Sequence, residues 1–204
     1  MTLRGIATIS GIRKSNVMER DSFCILDFET TGLSPGNGDR IIEVAALKIF
    51  NNAIVDQYQS LMNPGFEISR RITSITGITN EMLNNAPNNL KVIKSLVDFL
   101  GNHPIVAHNA SFDSNFLHSE LSIYRIKKSY QFTCSMKIAR RVFPGSPNHK
   151  LVTLLAYRGI EYTGNLHRAL ADANATYMLW MDMNKLMANK RNEKLLSFAQ
   201  MNSY

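Results

Sequence analysis

The chain has 204 residues, of which 45% are apolar, and it carries a formal net charge of +7. This length suits one domain with a full hydrophobic core, and no apolar run reaches the roughly 18 residues of a membrane helix, so we expect no membrane partner. The start of the chain lacks the continuous apolar segment of a signal peptide. Cys24 and Cys134 form no CxxC pair, which favours reduced thiols in a cytoplasmic protein over a zinc site or a disulfide framework.

The positive charge is concentrated in one segment. Residues 121–160 contain eight Lys or Arg and no Asp or Glu. A basic segment in a protein with an acidic centre is suited to guiding a polyanion to a cation site, and a basic surface that only maintains solubility is the alternative.

The pattern of apolar and turn-forming residues changes along the chain. We expect an arm or an extra strand at 1–20, an α/β domain at 21–187 and a short tail at 188–204. The first half of the domain predicts an antiparallel meander of three strands, at 22–32, 40–50 and 53–62. The second half predicts a short strand at 104–107 and helices at 80–84, 89–100, 111–121, 133–142, 151–157 and 168–187. A meander followed by alternating strands and helices indicates a mixed sheet flanked by helices.

Two acidic residues end the first strand. Asp27 and Glu29 are two positions apart, so their side chains point to the same face of a strand. Carboxylates in this arrangement repel each other and are costly to desolvate, which favours a hard divalent cation between them. A solvated strand end followed by a turn is the alternative for this pair alone.

Further candidates lie in helical segments. Asp113 falls in the first turn of a helix, where interaction with the helix dipole is the alternative explanation. Asp172 lies among small residues of the last long helix, where a buried carboxylate needs a partner. His167 precedes Asp172 by five residues, so a loop can carry its imidazole over the same site, although a surface or capping histidine is the alternative.

Together these segments resemble the three motifs of the DEDDh-type 3′–5′ exonucleases. The matching stretches are DFETTG at 27–32, HNASFD at 108–113 and HRALAD at 167–172. The sequence ITGIT at 75–79 looks most like the proofreading exonucleases of bacterial replicative polymerases, of the DNA polymerase III epsilon type. The resemblance implies a ribonuclease-H-like α/β fold with a five-stranded mixed sheet.

The resemblance also implies a two-metal mechanism. Two divalent cations, Mg²⁺ or Mn²⁺, would be held by Asp27, Glu29, Asp113 and Asp172. His167 would act as the general base, because histidine is the side chain suited to accepting a proton near neutral pH.

Substrate contacts follow from the same resemblance. The 3′-terminal nucleotide would contact Thr30, Gly32 and Leu33, with further contacts from Thr76, Asn109 and Phe112. A turn, a helix cap and a core position are the respective structural alternatives for these last three residues. We expect Lys150, in the basic segment, to contact the phosphate backbone.

The expected function is hydrolysis of single-stranded or mispaired 3′ ends of DNA with release of nucleoside 5′-monophosphates. An exoribonuclease that trims RNA and a catalytically silent binding module of the same fold are the alternatives. The tail at 188–204 shows no clamp-binding pattern, so we expect either a stand-alone enzyme or a DNA polymerase subunit bound as a partner through residues 1–20.

Overall fold

A computed structural model of the chain describes residues 21–162 and 167–204. The predicted arm or extra strand at 1–20 lies outside the described residues. The strands are β1 (Ser22–Thr30), β2 (Ile41–Phe50), β3 (Ala53–Leu61), β4 (Ile105–Ala107) and β5 (Phe132–Cys134). Within the described ranges these strands form one five-stranded mixed sheet in the order β3-β2-β1-β4-β5. The predicted α/β class and mixed sheet are confirmed.

Helices cover both faces of the sheet. They are α1 (Arg70–Thr76), α2 (Asn80–Asn84), α3 (Asn89–Leu100), α4 (Ser111–Ile123), α5 (Ser135–Val142), α6 (Leu151–Arg158), α7 (Ala169–Lys190) and α8 (Phe198–Asn202). Four of these helices have an N-cap residue whose side chain accepts a hydrogen bond from a backbone amide of the first turn. The N-cap residues are Ser69, Thr79, Asn88 and Ser197. In the part of the chain that the structure describes, no helix is both long enough and apolar enough to cross a bilayer.

The central strand β1 is buried on both faces, which explains its continuous apolar run. Phe23 and Ile25 pack on one side of the sheet with Trp180 of α7. Leu26 and Phe28 pack on the other side, against α3 and α4. This division follows the two-residue period of a strand, and it fixes the register of β1 between the two layers of helices.

The strand pairings bring the carboxyl end of β1 next to the start of α4. β1 pairs antiparallel with β2 and parallel with β4, with Cys24 opposite Ile105 and Ile25 opposite Val106. Parallel strands end at the same edge of a sheet, so the chain that leaves β4 passes beside the end of β1.

One predicted helix needs correction, and one observed helix has no predicted counterpart. The helix predicted at 133–142 begins only at Ser135, because residues 132–134 form β5 in parallel with β4. A strand of three residues is too short to show a two-residue period in the sequence. Helix α1 was not predicted at all. Ser69 is its N-cap residue. Its C-cap residue is Gly77, whose φ of 70° lies in the left-handed region that favours glycine.

The C-terminal residues contribute to the core of the domain. Helix α7 continues to Lys190, three residues beyond its predicted end, and Leu196, Phe198 and Met201 are buried in the same cluster as Trp180. The side chain of Asn184 accepts a hydrogen bond from the amide of Leu196 at 2.7 Å and donates to its carbonyl at 2.9 Å. Residues 196–204 therefore pack on the domain that was predicted to end at 187.

Candidate active site

The carboxylates of Asp27 and Glu29 lie near the end of β1 and line a cleft of about 640 Å³. Their side chains share a face of the strand, as the two-residue spacing requires. Only 9% of Glu29 is exposed, so its carboxylate is largely removed from water.

Asp113, His167 and Asp172 line the same cleft. Asp113 lies in the first turn of α4 and is only 2% exposed. Asp172 lies in the first turn of α7, and His167 directly precedes the N-cap residue of that helix, Arg168. The structure therefore brings together all five residues that the sequence analysis singles out as catalytic candidates.

One side of the cluster is tightly arranged around Asp172. Potential ligand atoms of Glu29, His167 and Asp172 lie within 4.8 Å of one another. The backbone amide of His167 donates a hydrogen bond to Oδ2 of Asp172 at 3.2 Å. The other carboxylate oxygen, Oδ1, is buried and has no hydrogen-bond partner among the described residues. A buried carboxylate oxygen without a donor is suited to binding a cation.

Burial raises the carboxyl pKa values throughout this cluster, and like charge adds to the increase at Asp27, Glu29 and Asp172. Desolvation raises the pKa of Glu29 to about 8, with repulsion from Asp172 and Glu43 added and attraction to Arg168 opposing it. Desolvation also raises the pKa of Asp113 to about 8, although backbone hydrogen bonds oppose the increase. The pKa of Asp27 lies well above its ordinary value because of burial and then repulsion from Asp113 and Asp172. Four carboxyl groups that lie this close together supply the oxygen ligands that a hard divalent cation prefers. Such a cation would offset the repulsion between their charged forms.

A fifth acidic residue, Glu43, lies beside the cluster but differs from it chemically. Glu43 of β2 is opposite Glu29 in the antiparallel ladder and is fully buried. Burial alone raises its pKa, but hydrogen bonds from Arg168, the amide of Ala169 and Gln59 outweigh burial and leave the pKa below its ordinary value. Glu43 is not among the predicted site residues, and the signal for it in the sequence is a single acid inside the apolar strand RIIEVAALKIF.

Six of the seven predicted substrate-contact residues line the cleft. They are Thr30, Gly32, Leu33, Thr76, Asn109 and Phe112. Leu33 is 85% exposed, so its side chain lies at the rim and is available to a ligand. The hydroxyl of Thr76 donates to the carbonyl of Ile72 and accepts from the amide of Ile78, so it is already used within the protein.

Gly32 is required by a close contact within its own loop. A Cβ atom at this position would collide with the carboxylate of Asp39. That carboxylate accepts hydrogen bonds from the hydroxyl of Thr31 at 3.1 Å and from the amide of Ser34 at 3.0 Å. Gly32 thus allows Asp39 to hold together the turn that forms one edge of the cleft.

His108 and Lys150 are linked to the same loop between α5 and α6. His108 lines the cleft, and its Nε2 lies 2.9 Å from the carbonyl oxygen of His149. Lys150 follows His149 directly, is exposed, and does not belong to the lining of the cleft. The sequence analysis included His108 in a motif without giving it a role.

Helix α1 adds a basic residue that the sequence analysis missed. Arg71 lines the cleft, together with Ile72 and Ile75 of the same helix. Its neighbour Arg70 does not, and both arginines are exposed. Two adjacent arginines in the sequence do not reveal which one faces the cleft, because that depends on where α1 begins and how it packs.

Comparison with known proteins identifies the family. The family model RNase_T, described as Exonuclease, matches residues 24–180, a range that contains every carboxylate of the cleft. The chain belongs to the exonuclease family. The predicted enzyme class and the resemblance to exonucleases are thereby confirmed, and enzymes of this family typically use divalent metal ions.

Sequence relatives of this exonuclease are much longer proteins. The chain is 42% identical over 169 residues to DNA polymerase III PolC-type of Oceanobacillus iheyensis, which covers 82% of the chain and 12% of the relative. It is 36% identical over 176 residues to DNA polymerase III PolC-type of Bacillus subtilis, which covers 85% of the chain and 12% of that relative. The exonuclease therefore spans about an eighth of the length of these curated relatives.

Solved structures match the exonuclease over most of its length. Exonuclease X, solved in complex with 5′-overhanging duplex DNA, is 29% identical with a TM-score of 0.66, and the match covers 88% of this chain and 99% of that one. The nuclease domain of 3′hExo, a DEDDh family member bound to rAMP, has a TM-score of 0.71 at 24% identity, with 87% and 96% covered. The second match shows the shared fold.

Without metal, this exonuclease is expected to lose stability as the pH rises from 6.5 to 8.5. The raised carboxyl pKa values mean that the folded chain binds more protons than the unfolded chain in this range. Stability from the protonated carboxyls is complete below about pH 4 and is lost as the pH passes through the folded values of about 8. Below pH 6.5, partly buried His108, whose pKa is lowered by desolvation to about 4, adds the opposite dependence.

Thermal unfolding in EDTA measures this effect. We expect Tm to fall by about 5 °C over the range, and Asp113→Asn to reduce the fall because it removes one of the repelling charges. Asp56→Asn, at an exposed position of β3, is the control that should behave like the wild type. A wild-type Tm that stays constant or rises between pH 6.5 and 8.5 would contradict the account.

Proposed function

We propose that this exonuclease removes nucleotides from the 3′ ends of single-stranded or mispaired DNA by metal-dependent hydrolysis and releases nucleoside 5′-monophosphates. The observation that carries the proposal is the group of four acids, two of them buried, and His167 around one open cleft. Similarity to the PolC-type DNA polymerases and to exonuclease X, which was solved with DNA, supports DNA as the substrate.

In this proposal, Asp27, Glu29, Asp113 and Asp172 hold two divalent cations, Mg²⁺ or Mn²⁺. When bound, such cations offset the charge of the phosphate and make an attacking water more acidic. Glu43 has no part in metal binding, because protein donors already occupy its carboxylate oxygens.

His167 accepts the proton of the water that attacks the phosphorus atom. The oxygen of that water bonds to phosphorus, and the bond from phosphorus to the 3′ oxygen of the penultimate nucleotide breaks. The products are a nucleoside 5′-monophosphate and a strand with a new 3′ hydroxyl group. The closeness of the His167 ring to carboxylate oxygens of Glu29 and Asp172 supports this role, because a base must lie near the reacting atoms.

The terminal nucleotide lies within the cleft. Thr30, Gly32 and Leu33 form one edge, and the exposed side chain of Leu33 offers an apolar surface to a base. Asn109, Phe112 and Thr76 supply the remaining lining that we expect to contact the nucleotide. Sequence-independent contact of this kind is suited to an enzyme that removes any nucleotide.

A replicative DNA polymerase is the partner that the PolC-type relatives favour. The match covers only 12% of the PolC-type relative of Oceanobacillus iheyensis, so association of this exonuclease with a polymerase is part of the proposal and a stand-alone enzyme is the alternative. A role in bacterial DNA replication would place the protein in the cytoplasm.

The first test is degradation of DNA and RNA oligonucleotides that have the same sequence and are labelled at the 5′ end. With Mg²⁺ or Mn²⁺, we expect single-stranded DNA to shorten stepwise from the 3′ end, a mismatched duplex to be cut faster than a matched one, and EDTA to stop both reactions. His167→Ala should lower kcat by about 10²-fold or more, because proton transfer to the base is lost. His118→Ala, at an exposed position of α4, is the matched control with wild-type turnover.

Three results would contradict the proposal. Faster cutting of the RNA oligonucleotide of the same sequence would favour the exoribonuclease. No metal-dependent cutting of any substrate would favour a silent binding module. Near-wild-type turnover of His167→Ala would exclude the proposed base.

Arg71 provides a second test, on binding. We expect its guanidinium to contact a phosphate of the single strand, because it is a basic side chain that lines the cleft and forms no ion pair among the described residues. Loss of one phosphate contact reduces the slope of log K against log salt by about 0.7 for a single strand. Arg71→Ala, measured by fluorescence anisotropy in the Asp113→Asn background, should show this decrease.

The neighbouring Arg70→Ala is the matched control, because Arg70 is exposed on the same helix and does not line the cleft. Equal effects of the two substitutions would mean that α1 contributes only general positive charge.

A further inference from the structure

We propose that Glu43 and Arg168 are positioning residues for hydrolysis. Their ion pair fastens the start of α7 to β2 and thereby holds His167 and Asp172 in place beside Glu29. The inference rests on the proposed roles of His167 and Asp172, and it assigns a function to a buried acid that is not needed as a metal ligand.

The ion pair has a specific geometry. Nη2 of Arg168 lies 2.8 Å from Oε1 of Glu43, and Nε lies 3.0 Å from Oε2. The backbone amide of Ala169 donates to Oε2 at 3.0 Å, and the side-chain amide of Gln59 donates to Oε1 at 3.0 Å. Both oxygens of Glu43 are thus directed at donors of the protein, and three of these four contacts come from the first residues of the α7 segment.

The attachment points lie next to the proposed catalytic residues on both sides. On the sheet, Glu43 is directly opposite Glu29 in the ladder of β1 and β2. On the helix, Arg168 follows His167 directly. The carbonyl oxygen of Arg168 accepts a hydrogen bond from the backbone amide of Asp172 at 3.1 Å. A shift of the start of α7 along the sheet would therefore move His167 and Asp172 together relative to Glu29.

The backbone of His167 also indicates that this segment is held from outside. Its φ is 64°, in the left-handed region that residues other than glycine rarely adopt. A strained conformation of this kind persists only when surrounding contacts enforce it. The ion pair at the next residue and the hydrogen bond from the His167 amide to Asp172 supply such contacts.

The charges of the pair match this role. Glu43 is fully buried, whereas a third of the Arg168 side chain is exposed. Arg168 places one fixed positive charge beside an acidic cluster without occupying any of its carboxylates in the described contacts. The arrangement keeps the oxygens of Asp172 and Glu29 available while it compensates the charge of Glu43.

Another ion pair on α7 provides the matched control. Arg158 of α6 contacts Asp182 of α7 through two hydrogen bonds, at 2.7 and 3.3 Å. This pair also fastens α7 to a neighbouring element, but it lies ten residues beyond Asp172. Removal of either pair loosens the packing of α7, and only removal of the Glu43–Arg168 pair should disturb catalysis.

The test compares Glu43→Gln, Arg168→Ala, Arg168→Lys and Arg158→Ala in the full chain. Glu43→Gln is the first choice, because the arginine that it leaves unpaired is partly exposed and can be solvated. We expect Glu43→Gln and Arg168→Ala to lower kcat on single-stranded DNA by about 10²-fold with KM changed by less than about threefold, since a shift of about 1 Å at a catalytic group has an effect of this size. Arg168→Lys should recover turnover to within about tenfold of the wild type.

A second measurement requires neither metal nor substrate. Hydrogen exchange of the Ala169 amide, followed by NMR, should become at least about tenfold faster in Glu43→Gln and Arg168→Ala and remain unchanged in Arg158→Ala. The Arg158→Ala variant should also keep kcat within about twofold of the wild type.

The inference is overturned if Glu43→Gln and Arg168→Ala keep kcat within threefold of the wild type, or if Arg158→Ala lowers kcat as much as they do. It is also overturned if the Ala169 amide exchanges equally fast in the wild type and in the variants. A wild-type protein with no nuclease activity would instead reject the proposed function, and amide exchange would still report whether the pair holds α7.

Discussion

Repulsion among partly or fully buried carboxylates in one open cleft is the constraint on which the functional part of this protein depends. Asp27 and Glu29 come from a strand that cores on both faces hold in register, so they cannot move apart. Asp113 and Asp172 arrive on two helices and add to the repulsion at Asp27, whose pKa is raised well above its ordinary value. The folded chain therefore keeps a site that is unfavourable without a compensating cation, as is expected where binding a metal is the function.

The buried acids around the cleft differ from those inside it, because each of them is paired with an arginine. Glu43 is paired with Arg168, and buried Glu120 accepts two hydrogen bonds from Arg40, at 2.7 and 2.8 Å. Glu120 lies on the helix that carries Asp113, and Arg40 lies at the end of the loop that contains Gly32. Paired acids thus fix the frame around the cleft, and the acids of the cleft itself are left without arginine partners among the described contacts apart from the influence of Arg168 on Glu29.

Short motifs with side chains at fixed spacing were predictable from the sequence, and features that depend on packing were not. Strand periodicity and turn residues predict the meander and the positions of Asp27 and Glu29. The motif HRALAD, at the start of one helix, predicts His167 and Asp172. Strand β5 was missed because its three residues show no period and, unlike Ile105–Ala107 of β4, form no continuous apolar run. Glu43 was missed because its ion pair joins residues 125 positions apart. Lys150 shows the limit of charge patterns, since a basic segment does not tell which side chain reaches the cleft.

Direct titration tests whether the cleft binds divalent cations through its four acidic residues. Mn²⁺ binding at pH 8, followed by electron paramagnetic resonance in the presence of a nucleoside 5′-monophosphate, should show two ions per wild-type chain. In Asp113→Asn, affinity for at least one ion should fall by about tenfold or more, because one of the few hard oxygen ligands loses its charge. Equal Mn²⁺ binding by the wild type and Asp113→Asn, or no saturable binding by the wild type, would contradict the account.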